Sequence, residues 1–209
     1  MLAALVVSVA PSYAGIIFTF TESGGNVFMN SSGVIDTNGL ILQAGVSEWG
    51  GTGIEYNGNH DVMGGTSFGQ VDMSFGFNPG TDFSPWAPLG APAHPWATSV
   101  FGWTVDGGTK SFTTHIVDGG IQVPGLGVRG VDLVGGLWSP DQSWSIAGQT
   151  FASLFMIPGT SYTVTDALTD EFITFQIGGA SPVPEPTTML LFGGGLAALF
   201  LRRRKTQAN

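Results

Sequence analysis

Cysteine is absent from the 209 residues, so no disulfide framework staples this chain, and thiolate chemistry and cysteine metal sites are closed to it. Cations are almost as scarce. Six Lys and Arg stand against 15 acids, for a net charge of −9, and four of the six are the consecutive Arg202, Arg203, Arg204 and Lys205. The rest of the chain keeps only Lys110 and Arg129, yet holds every acid but Glu185. Nucleic-acid binding draws on clustered cations that release counterions, so that partner class is excluded. An acidic, self-repelling surface suits an extracellular protein or one that recruits cations. The motifs of common enzymes are missing too. There is no Gly-x-x-x-x-Gly-Lys loop to cradle a phosphate and no Gly-x-Ser-x-Gly elbow to expose a nucleophile. Asp170 and Glu171 are adjacent carboxylates, which point to opposite faces of a strand and not into one cleft. No enzyme and no cofactor are expected.

What the chain does have is glycine, 33 residues of it, together with Thr, Ser, Val, Ile and Phe in alternating runs. That mixture favours strands joined by tight turns. Alternation predicts strands over 15–21, 26–30, 33–36, 40–43 and 66–77, the last with Phe68, Val71, Met73, Phe75 and Phe77 inward and a bulge near Gly69. Residues 45–65 read as irregular, and 78–95, with five prolines around Trp86 and Trp96 just after it, as a long loop. Further strands are expected over 99–105, 111–117, 121–123, 128–134, 143–147, 151–157, 161–165 and 172–177. Asn38-Gly39, Asp106-Gly107-Gly108 and Asp118-Gly119-Gly120 supply turns. Turn spacings of about 8 to 12 residues, with no helix of three turns, point to an all-β body: an antiparallel β-sandwich of jelly-roll-like kind over 15–181.

Both termini are of another character. Residues 1–14 hold an apolar run from Leu2 to Ala10, then Pro11, with small Ser12 and Ala14 placed for a secretory cut before Gly15. No cation precedes the run, so a signal peptide whose start has been truncated is the expectation; a buried first strand is the alternative. At the other end, residues 182–209 place Val183-Pro184-Glu185-Pro186 before an uncharged run, and that run before Arg202 to Lys205. The prolines forbid helix and hold an extended segment. As a helix, 187–201 would measure roughly 22 Å at about 1.5 Å per residue. That is short of the roughly 30 Å hydrocarbon core, with the snorkelling cations making up some of the difference. The positive-inside rule keeps those cations cytoplasmic, so the tail reads as a membrane stop with the body outside.

This order of parts resembles the PEP-CTERM sorting signal of bacterial surface proteins, carried here by Val183-Pro184-Glu185-Pro186, the run with Gly193-Gly194-Gly195, and Arg202-Arg203-Arg204. The resemblance implies cutting near Val183 to Pro186 by an exosortase, a Gram-negative host with linked exopolysaccharide genes, and delivery of the body to the cell surface or matrix. An uncut single-pass anchor is the plainer reading of the same residues. Phe18 to Val27, Phe151 to Leu154, Pro158-Gly159-Thr160 and Tyr162 are similar to the opening and closing phrases of a small all-β subfamily of such proteins with no assigned activity.

Three features in the body invite a binding role. Gly58-Asn59-His60-Asp61 is similar to one metallophosphoesterase motif, but the other metal-binding segments of that family are missing, and a polar turn accounts for it. Gly50-Gly51-Thr52-Gly53-Ile54-Glu55 resembles a single calcium-binding nonapeptide, so calcium at Glu55, Asp61 or other loop acids is the one metal to consider. Trp86 and Trp96 stand among Gly, Pro and Ser residues, where an indole either stacks on a sugar ring or folds back over the core. The first choice makes the body a lectin-like, calcium-assisted module. The second makes it a structural partner of exopolysaccharide or of neighbouring proteins.

Overall fold

Side chains alternate across a strand, so Ile16, Phe18 and Phe20 share one face of β1 (Gly15–Ser23), and all three are fully buried. Gly24 and Gly25 follow, both at positive φ as a two-residue hairpin turn requires, and β2 (Asn26–Asp36) returns antiparallel with Ser23 opposite Asn26. Strand β2 is continuous where two shorter strands are predicted. The structure is a computed structural model that describes residues 14–47, 49–56, 61–66, 70–86, 95–116 and 123–178.

The remaining strands are β3 (Ile41–Leu42), β4 (Gly51–Ile54), β5 (Asp61–Thr66), β6 (Met73–Gly76), β7 (Val100–Phe101), β8 (Thr104–Gly107) and β9 (Phe112–His115), followed by β10 (Gly125–Val128), β11 (Leu137–Trp138), β12 (Ser143–Ala147), β13 (Ser161–Thr165) and β14 (Phe172–Ile177). They form two seven-stranded sheets. The first runs β13-β14-β1-β2-β12-β8, with β11 also on β2; the second runs β3-β6-β10-β9-β5-β4-β7. The core lies between them. Phe18 of the first sheet stacks on Phe112 of the second at 4.9 Å, and Phe112 stacks on Trp144 of the first at 5.5 Å.

The two-sheet, all-β expectation holds, with one departure from an antiparallel sandwich. Strands β1 and β14 pair in parallel, Gly15 beside Phe172 and Phe20 beside Ile177. The first and last strands of the body are therefore neighbours that begin at one end of the sheet and finish at the other.

Five local expectations change. The single strand predicted over 66–77 is not one: β5 ends at Thr66 and β6 begins at Met73, with β9 and β10 between them in the second sheet. Residues 51–54 and 61–66, read as irregular, are β4 and β5; glycine has little strand preference alone, but here it makes room for rings. A Cβ on Gly64 would lie 2.5 Å from Trp49 Nε1, and one on Gly65 would strike Gln142 and Trp144. The single strand predicted over 99–105 breaks at Gly102, whose φ is +78°, so that β7 edges the second sheet and β8 the first. Past Val128, Gly130–Asp132 forms a 3-10 turn and not more strand. Residues 151–157 are not a strand either, but a capped helical turn. Thr150 Oγ1 accepts from Ser153 N–H, Ser153 Oγ accepts from Thr150 N–H, and Leu154 N–H closes the turn on Thr150 O at 3.1 Å. Such local side-chain bonds offer the backbone an alternative to a ladder.

Candidate functional site

Both tryptophans put forward for sugar stacking are core residues. Trp86, in the 3-10 turn Ser84–Trp86, is fully buried against Phe77, Phe83 and Phe175, and its indole N–H has no acceptor among the described residues. Trp96 is also fully buried, edge-on to Phe20 and Phe175, with Nε1 donating to Glu55 O at 2.8 Å. Neither ring face is open to a sugar. The rings turn inward because an indole buries a large apolar area, and the gap between the sheets is lined with phenylalanine. The calcium candidates do not converge: among the described residues no three His, Asp or Glu side chains are grouped to hold a metal ion. Gly58, Asn59 and His60 lie outside the described residues, as do Phe68 and the turn at Asp118.

The structure gathers polar chemistry at the end of the first sheet where β1 and β14 begin. Asp166 ends β13 and organises the turn into β14. Its carboxylate accepts from the N–H groups of Leu168 and Thr169, from Thr169 Oγ1, and from both the backbone and side-chain N–H groups of Asn78. Asn78 Nδ2 also donates to Gly39 O at 2.9 Å, tying three loops together. Burial alone would raise the Asp166 pKa, but the donors from Asn78 and Thr169 together outweigh it and hold the carboxyl below its ordinary range.

Glu171 behaves in the opposite way. It accepts one bond, from Asp36 N–H at 3.1 Å, and burial, with Asp36 and Asp166 adding their charges, raises its pKa from an ordinary 4.5 to about 6. Asp170 beside it is exposed, so this adjacent pair does split between inside and outside. These groups brace turns, and their bonds are internal to the fold. Nothing in the sequence singled out Asp166 or Glu171 as buried, because their partners Asn78 and Asp36 are distant in the chain.

At the other end of the sheet the body finishes. Gly178 N–H donates to Phe20 O and Gly159 N–H to Ile177 O, each at 2.8 Å, so the last described residue is held between β1 and the loop after β12. That loop contains the helical turn, itself fastened by Phe151 N–H to the Glu22 carboxylate and by Gly148 N–H to Asn26 Oδ1. Val183 to Pro186 and Arg202 to Lys205 lie outside the described residues, as do residues 1–13. Among the described residues no helix is long and apolar enough to cross a membrane.

The family model of the PEP-CTERM protein-sorting motif matches residues 182–205, just past the end of β14 and spanning Val183 to Lys205. No curated protein and no solved structure matches the chain.

Proposed function

We propose that this PEP-CTERM sorting-domain protein is an exported surface protein, presented by its tail to an exosortase. The enzyme cuts within Val183-Pro184-Glu185-Pro186 and leaves the apolar run and Arg202 to Lys205 in the membrane. The β body then serves at the cell surface or in the matrix of a Gram-negative bacterium as a structural or interaction partner of exopolysaccharide, without catalysis.

The observation that carries this reading is the match at 182–205 set directly after a body whose last strand ends at Ile177. From Gly178 to Val183 the chain reaches about 17 Å at most when extended, at roughly 3.3–3.6 Å per residue. The prolines keep that segment from folding back into the sheet or starting a helix, so a processing enzyme meets an extended peptide next to the folded domain. The acidic surface, with Lys110 and Arg129 as its only cations, keeps released bodies soluble.

The test is the mature C-terminus, read by mass spectrometry from a host with its exosortase and from the same host lacking it. Cleavage within Val183 to Pro186 and surface delivery are expected in the first strain, and both are lost in the second. An identical full-length anchor in both strains overturns the reading.

A further inference from the structure

Phe155 is an anomaly twice over. Its φ is +55°, a left-handed conformation that a bulky side chain rarely adopts, and its ring is 64% exposed. The local reason for the first is plain. Met156 N–H bonds to Phe151 O and Phe155 N–H to Ala152 O, the paired bonds that close a helical turn with a left-handed residue, a position normally given to glycine. The reason for the second is not found inside the body. Met156 is buried while Ile157, on its far side, is 57% exposed, so Phe155 and Ile157 share the outward side of the segment. A strained position that glycine would fill more cheaply thus holds a large ring facing water.

Where this pair stands names the occupant. Ile157 O accepts from Thr160 Oγ1, Gly159 N–H is bonded to Ile177 O, and Pro158 packs on Gly178, so the two side chains flank the point at which the chain leaves the body for its tail. From Gly178 the apolar run beginning at Met189 is about 40 Å away at full extension, so a bilayer that holds the run is within reach of the pair. No cation shares the site: Lys110 reaches to Ser139 O, which lies near Gly33 at the opposite end of the sheet, and Arg129 follows β10 in the second sheet.

We propose that Phe155 and Ile157 form an apolar foot that rests in the lipid surface beside the departing tail, and so orients the body during processing. This rests on the membrane-held tail proposed above. Two side chains make only a marginal anchor alone; the tail supplies the second signal and the high effective concentration. With Lys110 and Arg129 placed elsewhere and the body acidic, the contact draws nothing from anionic lipid, which repels it, so neutral lipid is the favoured surface.

Because the chain has no cysteine, single cysteines report cleanly. Ile157→Cys, Leu168→Cys at the opposite end and Leu196→Cys in the apolar run are each labelled with an environment-sensitive dye in the full-length chain. The chains are then reconstituted in phosphatidylcholine vesicles carrying spin-labelled lipid. Strong quenching at 196, quenching at 157 several-fold above that at 168, and a fall at 157 when Phe155→Gly is added are expected. Quenching at 196 without quenching at 157 overturns the foot and leaves the tail reading standing. No quenching at either position overturns both. Shielding at 157 that follows protein density and not spin-labelled lipid means that a second copy covers the pair, and it too overturns the lipid assignment.

Discussion

The two sheets reach the same end by different routes. The first has long strands, β-branched and aromatic residues, and one buried face: β13 reads exposed and buried by turns, and β1 hides Ile16, Phe18 and Phe20. The second has strands of two to six residues, is rich in glycine, and is buried on both faces at its centre, with all of β10 and all of Phe112, Thr113, Thr114 and His115 inside. Consecutive glycines of β5 serve those opposite faces. Gly64 seats Trp49 outside the sheet, and Gly65 admits Trp144 from across the core. The difference teaches that a sheet can be specified by what its own side chains bury, or by the room it leaves for the side chains of others.

The largest effect should come from the ring that joins the two sheets. Phe112→Ala removes the stack that both Phe18 and Trp144 lean on, and about 3–5 kcal/mol of stability is expected to go with it, measured by urea denaturation. If the loss is under about 1 kcal/mol, the sheets do not depend on each other in this way.

Next come the glycines. Gly64→Ala and Gly65→Ala should each cost about 1–3 kcal/mol by overpacking, an outcome contrary to the usual gain in strand preference. Tryptophan fluorescence of each variant on a background lacking the other ring separates displacement of Trp49 from displacement of Trp144. A neutral Gly65→Ala would erase the contrast between the sheets.

A smaller effect separates two core indoles. Trp96→Phe removes the donor to Glu55 O and should cost about 1 kcal/mol more than Trp86→Phe, whose N–H has no acceptor among the described residues. Equal costs in thermal melts would count against those assignments.

The smallest effect is a pH slope. Glu171 binds its proton more tightly folded than unfolded, so its contribution is full below pH 4.5 and fades as pH rises through about 6. Asp166 has the opposite sign and supports the fold only while it stays ionised, losing that support as pH falls below the ordinary carboxylate range. Melting temperature should therefore decline modestly from pH 5 to 7, and Glu171→Gln should flatten the decline. An unchanged slope in that variant removes Glu171 as its source.

How much could be read beforehand follows the same division. The first sheet was legible: alternation in 16–20, the paired glycines after Ser23, and the strands at 143–147, 161–165 and 172–177 stand where they were expected. The second was legible only in part: β3, β6 and β9 fall within strands expected over 40–43, 66–77 and 111–117, but β4 and β5 contain too few apolar residues to alternate, and their justification lies in Trp49 and Trp144. For Trp86 and Trp96 the sequence left two directions open for a related reason. Proline and glycine neighbours announce a loop but do not say which way it folds. Phe155 left no mark in sequence at all, since neither its backbone angle nor its exposure has a local signature. The address at 182–205 was the most legible part, being written in the order of its residues and not in contacts.

The side-by-side run of β1 and β14 also sets a timetable. A strand that leaves an export channel early must stay half-bonded until residues 172–177 arrive, so nearly the whole domain has to emerge before it can lock shut. On the export route proposed above, the next stretch in the queue is the uncharged run that begins at Thr187, ten residues after Ile177. Completion of the domain would then come shortly before that run reaches the channel, and a product ending before Phe172 should be digested by protease like an unfolded polypeptide.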